Sequence, residues 1–140
     1  MTSAKILYPD INPNNFYGPG DYSPILEDLG EIILQHDDHD YQGDSFVLYT
    51  RNVDGYDQYG ILIFGWGSCS GCDALQACDS YNEIDSLRNS LESSIQWDSL
   101  KNTLRYLDEH DWAGDYTWGS SECRNFVLAA KKLLREKLID

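Results

Sequence analysis

The stretch from Gln58 to Cys78 constrains the fold more than any other part of this chain. It opens as an apolar run rich in β-branched and aromatic residues, Tyr59-Gly60-Ile61-Leu62-Ile63-Phe64, breaks at Gly65 and Gly67, and ends in a loop carrying Cys69, Cys72 and Cys78. An apolar run of this length bounded by glycines reads as a strand, and the segment behind it as a loop. The residues before it read as sheet and lead-in, and the residues after it as helix.

Residues 1–24 hold all four prolines, Pro9, Pro13, Pro19 and Pro24. Proline turns its predecessor away from helix, so an extended arm lying on a single domain of residues 25–140 is expected. Ser23-Pro24 starts a short helix that places Ile25, Leu26 and Leu29 on one side, and Gly30 ends it, although Ile25, Leu29, Ile32 and Ile33 also match one continuous helix. Strands are expected at about 31–35, 45–50 and 58–64, with the Asp54-Gly55 hairpin signal joining the last two. Three helices complete the chain. Ser80 caps one over about 80–95, with Ile84, Leu87, Leu91 and Ile95 at spacings of three and four; Asp98 caps one over about 98–110; Ser120 or Ser121 caps one over about 120–138. The fold class is therefore α+β, a three-stranded antiparallel meander and then three α-helices. At 140 residues such a domain can bury roughly 70 % of its unfolded surface, so a core is possible without a metal or disulfide.

Charge narrows the classes of partner. The net charge of −14 divides as −7 over residues 1–40, −2 over 41–66, −7 over 67–118 and +2 over 119–140. A polyphosphate is repelled by such a body, which argues against direct nucleic-acid binding, whereas a basic protein surface is attracted and steered. The bland reading is that the acidity keeps the protein soluble. No apolar run reaches the ~18 residues of a membrane-spanning helix, and the N-terminus lacks the basic-then-apolar layout of a secretory signal. A cytoplasmic protein without membrane contact is the expectation.

The cysteines admit several chemistries. Cys69 and Cys72 form a C-x-x-C in which Asp73 can cap a turn over 74–77, the layout of a thiol oxidoreductase, although no proline occurs after Pro24 to face it. Zinc held by Cys69, Cys72, Cys78 and Cys123, or with a histidine replacing one, is a second reading, and only one of the usual two knuckles is present. A Cys69–Cys78 disulfide is a third. Reduced, partly buried thiols in a tight glycine-rich turn are the plain alternative. The cluster His36-Asp37-Asp38-His39-Asp40 has metal-ligand residue types but no second segment to fix a geometry, and reads as a polar turn.

Tyr41-Gln42-Gly43-Asp44 and Phe64-Gly65-Trp66-Gly67-Ser68-Cys69-Ser70-Gly71-Cys72-Asp73-Ala74-Leu75 together resemble a motif pair in small acidic proteins of phages and bacteria. The resemblance covers roughly residues 29–118. It implies a compact α+β domain and carries over no catalytic residues. Small acidic phage proteins include anti-CRISPR and DNA-mimic inhibitors of host defence, an analogy of size and charge.

The expected function is thus an acidic protein-binding module that occludes a basic, nucleic-acid-binding host protein by charge mimicry. Its expected face comprises Asp37, Asp38, Asp40, Tyr41, Asp79, Glu83, Asp85, Asp108, Glu109, Asp111, Asp115 and Tyr116. Aromatic anchors would come from Tyr22, Tyr81, Trp97, Tyr106, Trp112 and Trp118 as well, unless these complete the core. A zinc- or thiol-dependent protein centred on Cys69 and Cys72 is the alternative.

Overall fold

The computed structural model describes residues 2–112 and 121–139. Its elements run α1 (Ala4–Leu7), α2 (Ser23–Leu29), β1 (Glu31–Asp37), β2 (Gly43–Val53), β3 (Tyr56–Trp66), α3 (Tyr81–Ser94), β4 (Gln96–Asp98), α4 (Leu100–Glu109) and α5 (Ser121–Ile139). The α+β class stands, with four strands and five helices among the described residues in place of three and three. The strands form one antiparallel sheet in the order β1-β2-β3-β4.

The β2–β3 hairpin is its spine. It pairs without interruption from Gly43 opposite Trp66 to Val53 opposite Tyr56. Asp54 and Gly55 close it with φ of 53° and 87°, the left-handed pair that a two-residue turn needs to match strand twist. Successive residues of a strand point to opposite faces, yet Phe46, Val47, Leu48 and Tyr49 are all fully buried. The sheet is therefore covered on both sides. Val47, Tyr49 and Leu62 enter one cluster with α2 and α3, while Phe46, Leu48 and Ile61 enter another with α4 and α5.

The elements depart from the expected ones in three places. The N-terminal segment is not an extended arm. It contains α1 and gives Ala4, Tyr8 and Tyr22 to the first cluster, where Tyr8 donates to the Asp21 carbonyl at 2.6 Å. Within that cluster α1 packs against α3, and the Tyr22 ring packs on Phe64 of the sheet with centroids 4.9 Å apart. β1 runs on to Asp37, so His36 and Asp37 belong to a strand and only the residues after them turn; a bulge between Ile32 and Leu34 puts Ile33 and Leu34 on the same side. β4 is a three-residue edge strand opposite Tyr59-Gly60-Ile61, too short to show a period of two. Its Trp97 leans into the first cluster beneath the Arg51 guanidinium, 4.0 Å from the ring centroid. Because β4 takes up Asp98, the cap of α4 moves one residue on, to Ser99, whose hydroxyl accepts the Asn102 N–H at 3.2 Å.

α3 is tied to α2 by a buried ion pair. Arg88, 3 % exposed, donates from Nε to Asp28 at 2.6 Å, and its Nη1 lies 3.2 Å from Glu92 in an ion pair without hydrogen-bond geometry. Burial by itself would raise the Asp28 pKa, but hydrogen bonds from Thr2 and Arg88 and the guanidinium charge outweigh it and hold the carboxyl below its usual range. Among the described residues no helix is long and apolar enough to cross a membrane.

A depressed carboxyl stabilises the fold above its unfolded pKa and loses that contribution as pH falls through its folded one. Arg88→Leu is expected to cost about 3 kcal/mol at neutral pH, the low end for removing one partner of a buried pair, and to flatten the acid limb of the stability curve. Urea melts of wild type and variant between neutral and acid pH measure both effects; parallel curves would show that the pair contributes nothing to acid unfolding.

Candidate functional site

The loop after β3 is built around one buried carboxylate. Asp73, 4 % exposed, accepts from the backbone N–H of Gly67 at 2.9 Å, of Leu75 at 2.9 Å and of Gln76 at 3.0 Å, and from the Tyr22 hydroxyl at 3.1 Å. A carboxylate with two oxygens and no donor suits such a cluster of N–H groups, and each bond to a charged group is among the stronger kind. The Tyr22 phenol is pushed well above its usual pKa by burial, so it keeps its proton and remains a donor. Gln76 Nε2 donates to the Gly67 carbonyl at 2.9 Å, which seals the other edge. Gly67 has no alternative here. A Cβ on it would stand 2.6 Å from the Cys72 carbonyl oxygen and 2.8 Å from its sulfur.

Held between those anchors, Cys69 and Cys72 are the exposed ends of a turn. Cys72 N–H donates to the Cys69 carbonyl at 3.1 Å, and the Cys69 N–H donates to Cys72 Sγ at 3.0 Å. A hydrogen bond with the Cys69 side chain, and then the Cys69 and Ser68 groups, hold the Cys72 thiol below its usual pKa. Residues 74–77 make one turn, not a helix, so no helix dipole takes part.

The four-thiolate zinc set does not assemble. Cys78 is buried in the cluster on the α3 side, its thiol donating to the Ala74 carbonyl at 3.3 Å, and burial pushes its pKa up. Cys123 is buried on the α4–α5 side, with the sheet between them. One tetrahedral ion with bonds of about 2.3 Å cannot reach both. The Cys69–Cys78 disulfide is likewise not formed, and among the described residues no group of three or more histidine, cysteine or acidic side chains is placed to hold a metal. His36 and His39 part company: His36 Nδ1 meets Glu122 of α5 at 3.0 Å, whereas His39 is exposed.

The expected acidic face is divided. Asp79, Glu83 and Asp85 lie at and in the start of α3 on one side of the sheet, and Asp108, Glu109 and Asp111 lie at the end of α4 on the other. Several are engaged within the chain. Asp37 accepts from Ser45 Oγ at 2.6 Å, Asp38 from the Asp44 N–H at 2.8 Å, Asp40 from the Tyr41 N–H at 2.8 Å and Asp85 from the Ala4 N–H at 2.8 Å. Asp108 sits under Arg135 at 2.8 Å and Lys131 at 3.5 Å. Glu83 reaches back to the Asp79 N–H while its own N–H is capped by Ser80, a helix-start arrangement. Tyr41 stands clear, 81 % exposed. Asp115, Tyr116 and Trp118 lie outside the described residues. Of the other aromatic anchors, Tyr22 and Trp112 are core, and Tyr81, Trp97 and Tyr106 are half-buried against it.

In place of that face there is a difference between layers. The layer of α1, α2, the cysteine loop and α3, residues 2–30 and 67–95, carries nine acids against two bases, net −7. The layer of α4 and α5, residues 100–112 and 121–139, carries five acids against seven bases, net +2. On the acidic layer a cleft of about 420 Å³ is lined by Leu7, Tyr8, Asp10, Ile11, Tyr17 and Pro19, with Tyr17 73 % exposed. These residues lie among prolines, and no periodicity in the sequence marks them. Ser45 and Trp66 are likewise unmarked in the sequence, and with Asp37 and Asp73 they line a smaller cleft of about 270 Å³. There Trp66 Nε1 donates to Ser45 at 2.9 Å and Ser45 donates to Asp37, a chain that ties the ends of β1, β2 and β3 together.

Asp73→Ala, which strands three backbone donors and a phenol, is expected to cost about 3 kcal/mol or more, and Asp73→Asn roughly half of that. Urea unfolding measures the loss, and thiol titration of the native variant should show Cys78 becoming reactive. Unchanged stability with Cys78 still shielded would refute the central role of this carboxylate.

Set against protein-family models, curated proteins and solved structures, the chain matches none.

Proposed function

We propose that this protein is an acidic binding module that docks through its α1–α2–α3 layer onto a basic protein surface. The observation that carries the reading is the segregation of charge by layer, net −7 on one side of the sheet against net +2 on the other. A uniformly acidic body repels polyanions and stays dispersed; a body with one strongly acidic side also orients an approaching basic partner. Asp10, Asp21, Glu27, Asp79 and Glu92 are exposed on that side.

The cleft beside Tyr17 complements the charge. Electrostatics set the rate and orientation of encounter, while a desolvated aromatic or aliphatic anchor supplies most of the affinity. Tyr17 at the rim and Leu7, Tyr8 and Ile11 below offer such an anchor point, with Asp10 beside it to meet a lysine or arginine of the partner. The partner class is a nucleic-acid-binding protein, whose basic groove the carboxylates occupy in place of phosphates, and the outcome for that partner is occlusion.

Affinity capture on the immobilised protein at low and at raised salt tests the reading. Captured nucleic-acid-binding proteins are expected to elute as ionic strength rises past physiological, where the Debye length shrinks below about 8 Å, and to be displaced by duplex DNA or RNA. Asp10→Asn with Glu27→Gln should weaken capture severalfold, whereas Glu109→Gln with Glu136→Gln on the opposite layer should leave it unchanged. Equal losses from the two pairs, or capture indifferent to salt, would rule out docking by the acidic layer.

A further inference from the structure

We infer that Cys69 and Cys72 form a thiol–disulfide exchange site, which reacts with disulfides of the glutathione class and closes to an intramolecular Cys69–Cys72 bond. Three observations of geometry carry this. The two residues are the first and last of a hydrogen-bonded turn, with the Cys72 N–H on the Cys69 carbonyl at 3.1 Å. The ends of such a turn approach within about 7 Å between Cα atoms, the separation that a disulfide spans. Both residues are exposed, while Cys78 and Cys123 are buried on opposite sides of the sheet, so the pair is accessible and isolated from the other two.

The third observation is that Cys72 Sγ already accepts the Cys69 N–H, at 3.0 Å, while its thiol proton lies on the Cys69 carbonyl at 3.2 Å and leaves that contact on ionisation. A backbone donor pointed at sulfur stabilises the thiolate, the form that attacks a disulfide. The Cys72 pKa is lowered, first by a hydrogen bond with the Cys69 side chain and then by the Cys69 and Ser68 backbone groups. In oxidoreductases of the C-x-x-C type a helix N-terminus serves this purpose; here the Cys69 side chain and the turn's own amides do. The loop is also anchored at both ends by Asp73 and Gln76 through Gly67, so closing and opening the turn leaves the core contacts in place.

The reaction balances as two exchanges. Cys72 thiolate attacks one sulfur of the disulfide RSSR, the S–S bond breaks, a Cys72–S–S–R bond forms and one thiolate RS⁻ leaves. The Cys69 thiol then gives up its proton and attacks Cys72 Sγ, which forms the Cys69–Cys72 bond and expels the second RS⁻. The two released thiolates take up the two protons lost by the protein. The protein's dithiol has been oxidised by two electrons and RSSR reduced to two thiols.

The full chain, reduced and then exposed anaerobically to glutathione disulfide, tests this by alkylation and peptide mass spectrometry. The wild type should lose two hydrogens as a single Cys69–Cys72 disulfide, with Cys78 and Cys123 recovered as thiols after denaturation. Cys69→Ser should stop at the mixed disulfide on Cys72. Cys72→Ser, whose hydroxyl still offers the Cys69 N–H an acceptor, should form its adduct on Cys69 about fivefold more slowly. Stable glutathione adducts on the wild type without closure, equal rates for the two serine variants, or earlier oxidation of Cys78 or Cys123 would each overturn the assignment. A second reading needs no variant: in graded glutathione buffers the wild type should pass from dithiol to disulfide directly, and accumulation of adducts across that transition would overturn it too.

Discussion

An antiparallel hairpin with apolar side chains on both faces cannot stop at one layer of helices, and this requirement shapes the rest of the molecule. Phe46 and Leu48 point one way, Val47 and Tyr49 the other, and all four are fully buried. Burying a side chain of that size contributes about 1.5–3 kcal/mol, so leaving either face open would forfeit the core on that side. The helices after β4 cover one face. On the other, the proline-rich N-terminal segment joins α2 and α3 and adds Ala4, Tyr8 and Tyr22 to the core. A segment that looks like a detachable arm is thereby part of the core.

Covering the second face brings the chain's start against the loop after β3. Tyr22, from the entrance to α2, reaches Asp73, more than fifty residues later in sequence, and its phenol bridges that carboxylate and the Leu75 N–H. The buried aspartate satisfies backbone donors of an irregular segment that has no ladder or helix to pair with. A loop organised from within in this way can present its tip, Cys69 to Cys72, without being ordered by the tip's own contacts. Stability and exposed chemistry are separated along one short stretch.

The same topology converts a gradient of charge along the chain into a difference of charge across the molecule. The acidic residues concentrate in the first 118 positions and the bases near the end. Because the early helices take one face of the sheet and the last two the other, acids and bases come to lie in separate layers. Neither a helical bundle that interleaved its first and last helices nor a one-sided sheet would have this polarity. Asp108 is the instructive residue. As a member of an acidic run it looks available to a partner, and in the fold it is paired by Lys131 and Arg135 across the α4–α5 contact.

Much of the secondary structure was legible in the residues. The Asp54-Gly55 turn, the apolar runs of β2 and β3, the cap at Ser80 and the three- and four-residue spacings of the later helices are local signals, and local physics is sufficient to read them. The strand β4, the helix in the N-terminal segment and the bulge in β1 carried no period long enough to detect, and the unseen β4 is why Asp98 stood in for Ser99 as a cap. Nothing in sequence order reveals which side of a sheet a helix will cover, since that depends on how the chain crosses over it. For that reason only the tertiary structure separated Cys78 from Cys123, joined Tyr22 to Asp73 and divided the acidic residues between two layers, while the acidity itself, the C-x-x-C turn and the spine of the sheet were already determined by the order of the amino acids.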